Sequence, residues 1–269
     1  PEHKRPCARA TMALHATPVW DDDEEDFSAS SHEREQRAKK EREHKIKCDH
    51  LRERLWDAVE RGDDDAVFLV IRHVERDENI DSMTDIIDPM TPDGVSTVYK
   101  ACKHGNAECA RQLLVAGASA GRATKQGKLT PLFAAAMGGH PQCIELLLKQ
   151  RDIRVEHRTK DGRTALYAAA EGGNPVCVQM LIDAKAKIDT RRQDNSTPLI
   201  VASYFGHQDV VEVLLKAGAK LKLRDEDGTA LANAQRQRKD ACVALLEEAL
   251  KERGAFEEAE PEEEEQDIY

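Results

Sequence analysis

The chain has 269 residues, 40% of them hydrophobic but only 4% aromatic, with a formal net charge of −11. So few aromatics are lean for one globular core, yet they suffice for helices packed on their neighbours by Leu, Ala and Val. No apolar run approaches the roughly 20 residues that a membrane-spanning helix requires. The acidity is uneven: residues 51–248 carry 28 basic and 30 acidic side chains, whereas residues 249–269 carry 2 and 9.

Residues 1–29 read as a disordered segment with prolines and an acidic cluster from Asp21 to Asp26. Residues 1–20 hold Arg and Lys and almost no acids, as organellar transit peptides do, but lack a long amphipathic or serine-rich stretch. Met12 is an alternative start. Ser30-Ser31-His32-Glu33 fits a capping box, with Ser30 accepting from first-turn amides and Glu33 reaching back. A charged helix is expected from there to about Gly62, its residues 30–50 forming an extension. Glu33/Arg37, Glu35/Lys39, Glu41/Lys45 and Glu43/Lys47 are acid-first pairs one turn apart, each worth a few tenths of a kcal/mol. From Ile46 onward, Leu51, Leu55, Trp56 and Val59 supply an apolar face. A second helix, about Asp65 to His73, turns Val67, Val70 and Ile71 inward. The stretch from Glu75 to Val95 then has a length that is usually functional or mobile.

A signature now returns: Ser96-Thr97-Val98-Tyr99, Thr130-Pro131-Leu132-Phe133, Thr164-Ala165-Leu166-Tyr167 and Thr197-Pro198-Leu199-Ile200, with first residues 34, 34 and 33 positions apart. Small residues, a glycine and a run such as Leu147-Leu148 or Leu214-Leu215 follow each. That period and content mark a stacked helical repeat. A hydroxyl before Pro suits a helix start, because it caps amides while proline's missing N–H costs nothing there. Gly117 and Gly218 are placed to end outer helices in a left-handed cap.

The block Asp194 to Ala202, with Gly206-His207, Val210-Val211, Leu214-Leu215 and Gly218-Ala219, resembles an ankyrin repeat almost throughout. Asp161-Gly162-Arg163-Thr164-Ala165-Leu166 opens a second clear copy. The resemblance covers residues 51–248 and implies an all-α solenoid of helix–turn–helix units with β-turn fingers. It would comprise a capping repeat around Leu55 to Val67, four full repeats and a degenerate one opening at Asp227-Gly228-Thr229. From Gly62 to Gly105 is 43 positions, ten more than the family period, so the first finger holds an insertion. Residues 249–269 are an acidic tail, with Glu262 to Glu265 too self-repelling to fold.

Cys109, Cys143, Cys177 and Cys242 each fall thirteen residues after the first residue of their repeat, where Val210 stands in the remaining copy. The slot is therefore a small apolar core position, and equivalent helices about 8–10 Å apart keep its occupants from sharing a disulfide or zinc. Thiols used this way suit a reducing, intracellular compartment, cytoplasmic or nuclear.

Three departures from the family pattern stand out. Tyr99, Phe133, Tyr167 and Ile200 fill the place of the signature histidine, so its hydrogen bond to the neighbouring finger is expected to be lost. Asn195 replaces the finger glycine, tolerable because Asn adopts the left-handed conformation. The stretch Gly127 to Thr130 carries one extra residue.

No Gly-rich phosphate loop, HExxH, GxSxG or CxxC pair occurs, so no catalytic, cofactor-binding or metal-binding residue is assigned. His140 and His207, like Asn106 and Asn174, follow turn glycines and read as loop caps. By similarity to the family, partner contact falls on finger tips and on the residue pairs before the turn glycines. Those pairs are Lys103-His104, Met137-Gly138, Glu171-Gly172 and Tyr204-Phe205. The last either anchors a partner or tucks one ring against a neighbouring helix. The fingers are basic, through Lys125, Lys128, Lys160, Arg163, Arg191 and Arg192, with acids interleaved. They read either as a solvated edge or as a strip for an acidic protein face. Nucleic acid is disfavoured, since no aromatics alternate with the basic residues. The sequence thus points to a non-enzymatic adaptor or structural subunit without cofactor. The alternative is a chaperone holding a basic client on residues 257–267 and 21–26. In either case the tail can extend about 3.3–3.6 Å per residue and so screen the fingers of its own chain.

Overall fold

Five hydroxyls set the frame of the fold. Ser96, Thr130, Thr164, Thr197 and Thr229 lie in extended backbone, and each accepts from the amide three residues on, at 3.1, 3.2, 3.3, 3.4 and 3.3 Å. Such a cap is worth about 1 kcal/mol and fixes where the helix begins. These facts come from a computed structural model that describes residues 31–77, 86–88 and 91–257. In chain order its helices are α1 (Ser31–Arg61), α2 (Asp64–Arg76), α3 (Thr97–His104), α4 (Ala107–Val115), α5 (Pro131–Gly138), α6 (Pro141–Leu148) and α7 (Ala165–Glu171). Then follow α8 (Pro175–Asp183), α9 (Pro198–Phe205), α10 (Gln208–Lys216), α11 (Ala230–Arg236) and α12 (Asp240–Glu257). Between α10 and α11 a short antiparallel pair, β1 (Arg224–Asp225) and β2 (Gly228–Thr229), aligns Arg224 with Thr229.

The chain divides between His44 and Lys45 into two units. The described residues of the first, 31–44, lie in α1, where exposed Arg37 and Glu41 pair at 3.3 Å. Ser30 of the expected capping box lies outside the described residues.

In the second unit the inner helices α3, α5, α7, α9 and α11 pack in sequence, and α2, α4, α6, α8, α10 and α12 form the outer layer. Register explains the core. Seventeen residues after each capping hydroxyl stands Leu113, Leu147, Leu181, Leu214 or Leu246, and every one is fully buried. Each such leucine contributes about 1.5–3 kcal/mol, so the layers hold without a central aromatic cluster. Cys109, Cys143, Cys177, Val210 and Cys242 are buried beside them in the outer helices, as their shared slot predicts. The second helix runs a turn beyond the expected His73 and adds Val74 to the buried Val67, Val70 and Ile71.

Two boundaries move. The tail expected from residue 249 does not begin there, because α12 continues through Glu257. Ala249 is buried, and Arg253 donates to Leu215 O and, at 2.7 Å, to Ala219 O, satisfying carbonyls at the end of α10. The insertion is likewise not all loop. Ile86 and Ile87 are core residues, Thr97 Oγ1 donates to Ile87 O at 2.7 Å, and Arg122 pairs with buried Asp88 at 2.9 Å.

Candidate interaction surface

Finger geometry follows from hairpin backbone bonds. Thr159 N–H donates to Arg163 O and Arg192 N–H to Ser196 O, both at 2.9 Å, closing hairpins of equal length. The additional residue of the preceding finger makes its hairpin longer, Thr124 N–H reaching Leu129 O, and puts Lys128 in the left-handed region at φ 53°. Asn195 takes that conformation at φ 62°, as its chemistry allows. Successive fingers are tied through Lys125 N–H to Asp93 O, Lys160 N–H to Gly127 O and Gln193 N–H to Asp161 O, at 3.0, 2.9 and 3.2 Å. The edge that carries the basic residues is therefore one hydrogen-bonded ladder.

A second ladder fastens the turns. Asn106, His140, Asn174 and His207 occupy the first position before their outer helices, yet none makes a side-chain cap there. The expected loop-capping role is corrected for three of them. Asn106 donates to Val59 O at 2.9 Å, Asn174 to Ala136 O at 3.3 Å, and His207 Nε2 lies 3.1 Å from Glu171 O. Carbonyls at the end of the preceding helix, which retain a free lone pair, supply the attraction.

The lost histidine bond is also restored in one repeat. Tyr167 donates its phenol to Ser196 Oγ of the next finger at 3.4 Å, and burial raises the phenol's pKa.

The predicted contact residues fall into two groups. Lys103, His104, Lys125, Lys128, Met137, Lys160, Arg191, Tyr204 and Phe205 are exposed. Arg163, Glu171 and Arg192 are not free. Arg163 Nε lies 2.7 Å from Asp161, its Nη1 lies 3.0 Å from Glu171, and its guanidinium stacks over Phe133. Arg192 pairs with Asp194 at 3.0 Å and approaches Asp161 at 3.7 Å. Burial opposes the charge on Asp161, but Thr159 and Arg163 together hold its carboxyl below the usual range. Asp161, Asp194 and Glu171 thus spend their charge on Arg163 and Arg192, and no ion pair neutralises Lys125, Lys128, Lys160 or Arg191 among the described residues.

Neither aromatic of the pair is tucked away. Tyr204 is 39% and Phe205 45% exposed, their rings meet edge to face at 5.2 Å, and Phe205 stacks on His207 at 5.9 Å.

A groove of about 680 Å³ opens between α1, α3 and the adjoining fingers, lined by Lys103 and His104 together with Trp56, Tyr99, Lys100 and Leu129. Lys100 lies 4.3 Å over the Trp56 ring and 2.8 Å from Glu60, whose carboxyl that hydrogen bond holds below its ordinary pKa. The groove escaped the sequence reading. Its only available signal was Trp56, one of two tryptophans in the chain, which had been given to the core face.

No helix among the described residues is long and apolar enough to cross a membrane, and no group of three His, Cys, Asp or Glu side chains converges there. The family profile described as ankyrin repeats in three copies matches residues 55–159 and 151–225. Among solved structures the chain is similar to the human ASB11 ankyrin repeat domain, with 27% identity and a TM-score of 0.62, over 72% of this chain and 82% of that one. No curated protein matches the sequence significantly.

Proposed function

The chain belongs to the ankyrin-repeat family, whose repeats are protein–protein interaction modules, and from that premise we propose a non-enzymatic adaptor or structural subunit that binds a protein with an acidic surface. The observation that carries this reading is the division of charge along the finger ladder. Asp161, Asp194 and Glu171 are engaged with Arg163 and Arg192, which leaves Lys125, Lys128, Lys160 and Arg191 exposed with no ion pair. Exposed charges of one sign on a rigid edge steer and select partners more than they stabilise a fold. Tyr204 and Phe205 add the aromatic surface typical of binding anchors.

A photo-crosslinking amino acid at position 160, compared with one at exposed Gln142 on the outer helix α6, tests the reading in extract of the source cells. Protein adducts are expected at 160 and should vanish when Lys125, Lys128 and Arg191 are changed to Glu. Adducts equal at both positions, or indifferent to the charge reversals, would reject it. Deleting residues 258–269 separates the chaperone alternative, which alone requires that segment for client binding.

A further inference from the structure

The partner's contact segment has a readable shape. Seven and eight residues after each capping hydroxyl come two rows of side chains on the inner helices. The first row is Lys103, Met137, Glu171 and Tyr204; the second is His104, Gly138, Gly172 and Phe205. The two glycines have a packing reason. A Cβ on Gly172 would lie 2.6 Å from Met137 O, and one on Gly138 would lie 2.5 Å from His140 Nε2. Close packing at these two positions, against the neighbouring repeat at Gly172 and against the following turn at Gly138, leaves a bare stretch of backbone in the middle of the second row. At one end of that stretch lies the groove floored by Trp56, Tyr99 and Leu129. At the other stands the Tyr204–Phe205 pair. The unpaired cations Lys125, Lys128, Lys160 and Arg191 run alongside on the fingers.

Resting on the function proposed above, we infer that the strip takes one extended acidic peptide with a large apolar or aromatic side chain at each end. The first anchor enters the Trp56–Tyr99 groove and the second packs on Tyr204 and Phe205. The acidic middle crosses the bare glycine stretch beside the finger cations. Three inter-repeat steps separate α3 from α9. At about 8–10 Å per step and about 3.3–3.6 Å per extended residue, the two anchors are roughly seven to nine residues apart. Charge complementarity selects the acidic middle, since a basic peptide would face the exposed finger cations.

The test uses fluorescein-labelled synthetic peptides and the full chain, read by anisotropy. One carries Leu and Phe flanking an alternating Glu-Ser stretch of about eight residues, made in both orders, because the anchor spacing sets the length. Its variants shorten the stretch by half, replace one or both anchors by Ser, or replace Glu by Lys. Loss of either anchor, or the short spacing, is expected to weaken binding about tenfold, as loss of a buried aromatic contact does. The Lys peptide should not bind. Tyr204→Ser with Phe205→Ser should abolish discrimination at the Phe end only, and Lys103→Glu should weaken every acidic peptide. Equal binding of all acidic peptides would overturn the two-anchor reading while leaving an acidic-partner adaptor in place. Binding of none would overturn it as well, and the crosslinking experiment then decides separately whether the strip is an interface.

Discussion

Gly139 and Asn174 are matched across neighbouring repeats: a Cβ at Gly139 would fall 2.3 Å from Asn174 Oδ1. The glycine is also left-handed, at φ 70°, so any side chain there meets strain as well as a clash. Asn174 uses the space to reach the carbonyls of Ala136 and Met137. Gly139→Ala should destabilise by about 1–3 kcal/mol, and Asn174→Ala by roughly 1–2 kcal/mol for the hydrogen bonds lost across the repeats. The double variant should lose less than the sum, because both changes break one contact. Urea titration of the four proteins measures this, and strict additivity would show that the two residues do not act together.

Asp88 gives the fold a pH dependence of unusual sign. Burial raises its carboxyl pKa above the ordinary 3.8, outweighing the attraction of Arg122 and the Ser119 amide. A carboxyl raised on folding binds its proton more tightly in the native state, so its stabilising contribution is complete below 3.8 and is lost as pH rises through the raised value. Asp88→Asn should therefore gain stability relative to the parent as pH rises from about 4 to 7. Urea midpoints at several pH values read the difference. A gain that stays flat, or turns into a loss at neutral pH, would mean that the ion pair with Arg122 dominates.

The core thiols should be silent. Burial raises the pKa of Cys177 and Cys242, and that of Cys109 to about 11, and all three are buried in outer helices. A thiol this reluctant to ionise is a poor nucleophile at neutral pH. Because all six remaining cysteines are buried, a colorimetric disulfide reagent at pH 7.4 should label them in a Cys7→Ser protein only as fast as the chain unfolds, and all of them at once in urea. Rapid labelling of the folded protein would place at least one of the six sulfurs in solvent.

Much of this architecture was legible because the repeat translates position into environment. A hydroxyl thirteen residues ahead marks Cys109, Cys143, Cys177 and Cys242, so this row of the core was named from the sequence alone. The αL conformation of Asn195 followed from its chemistry in the same way. What failed was anything that depends on the neighbouring repeat. Asn174 and His207 read as loop caps, since sequence proximity suggests a local partner, but the carbonyls they reach belong to the unit before. Arg163 and Lys160 looked alike in a basic finger, and only the fold shows that one is consumed by Asp161 and Glu171. Arg253 looked like tail for a related reason: its carbonyl partners, Leu215 and Ala219, lie more than thirty residues away in and just after α10.

That difference between Lys160 and Arg163 gives the sharpest separation of stability from binding. Lys160 is exposed and makes no ion pair, so Lys160→Glu should leave the melting curve within about 0.5 kcal/mol of the parent. Arg163 is half-buried between two carboxylates and under the Phe133 ring, so Arg163→Glu sets three negative charges against one another. That variant should lose about 1–3 kcal/mol. Calorimetry distinguishes the two, and affinity for the acidic peptide completes the argument. Lys160→Glu should lose affinity without loss of fold, steeply at low salt and less at high salt, because an exposed charge acts through a screened field. Arg163→Met, which removes the charge but keeps much of the packing on Phe133, should change affinity less than Lys160→Glu does. If Arg163→Met instead proves the more damaging for binding, the paired arginine rather than the unpaired lysine is the contact, and the division of charge along the fingers has been assigned the wrong way round.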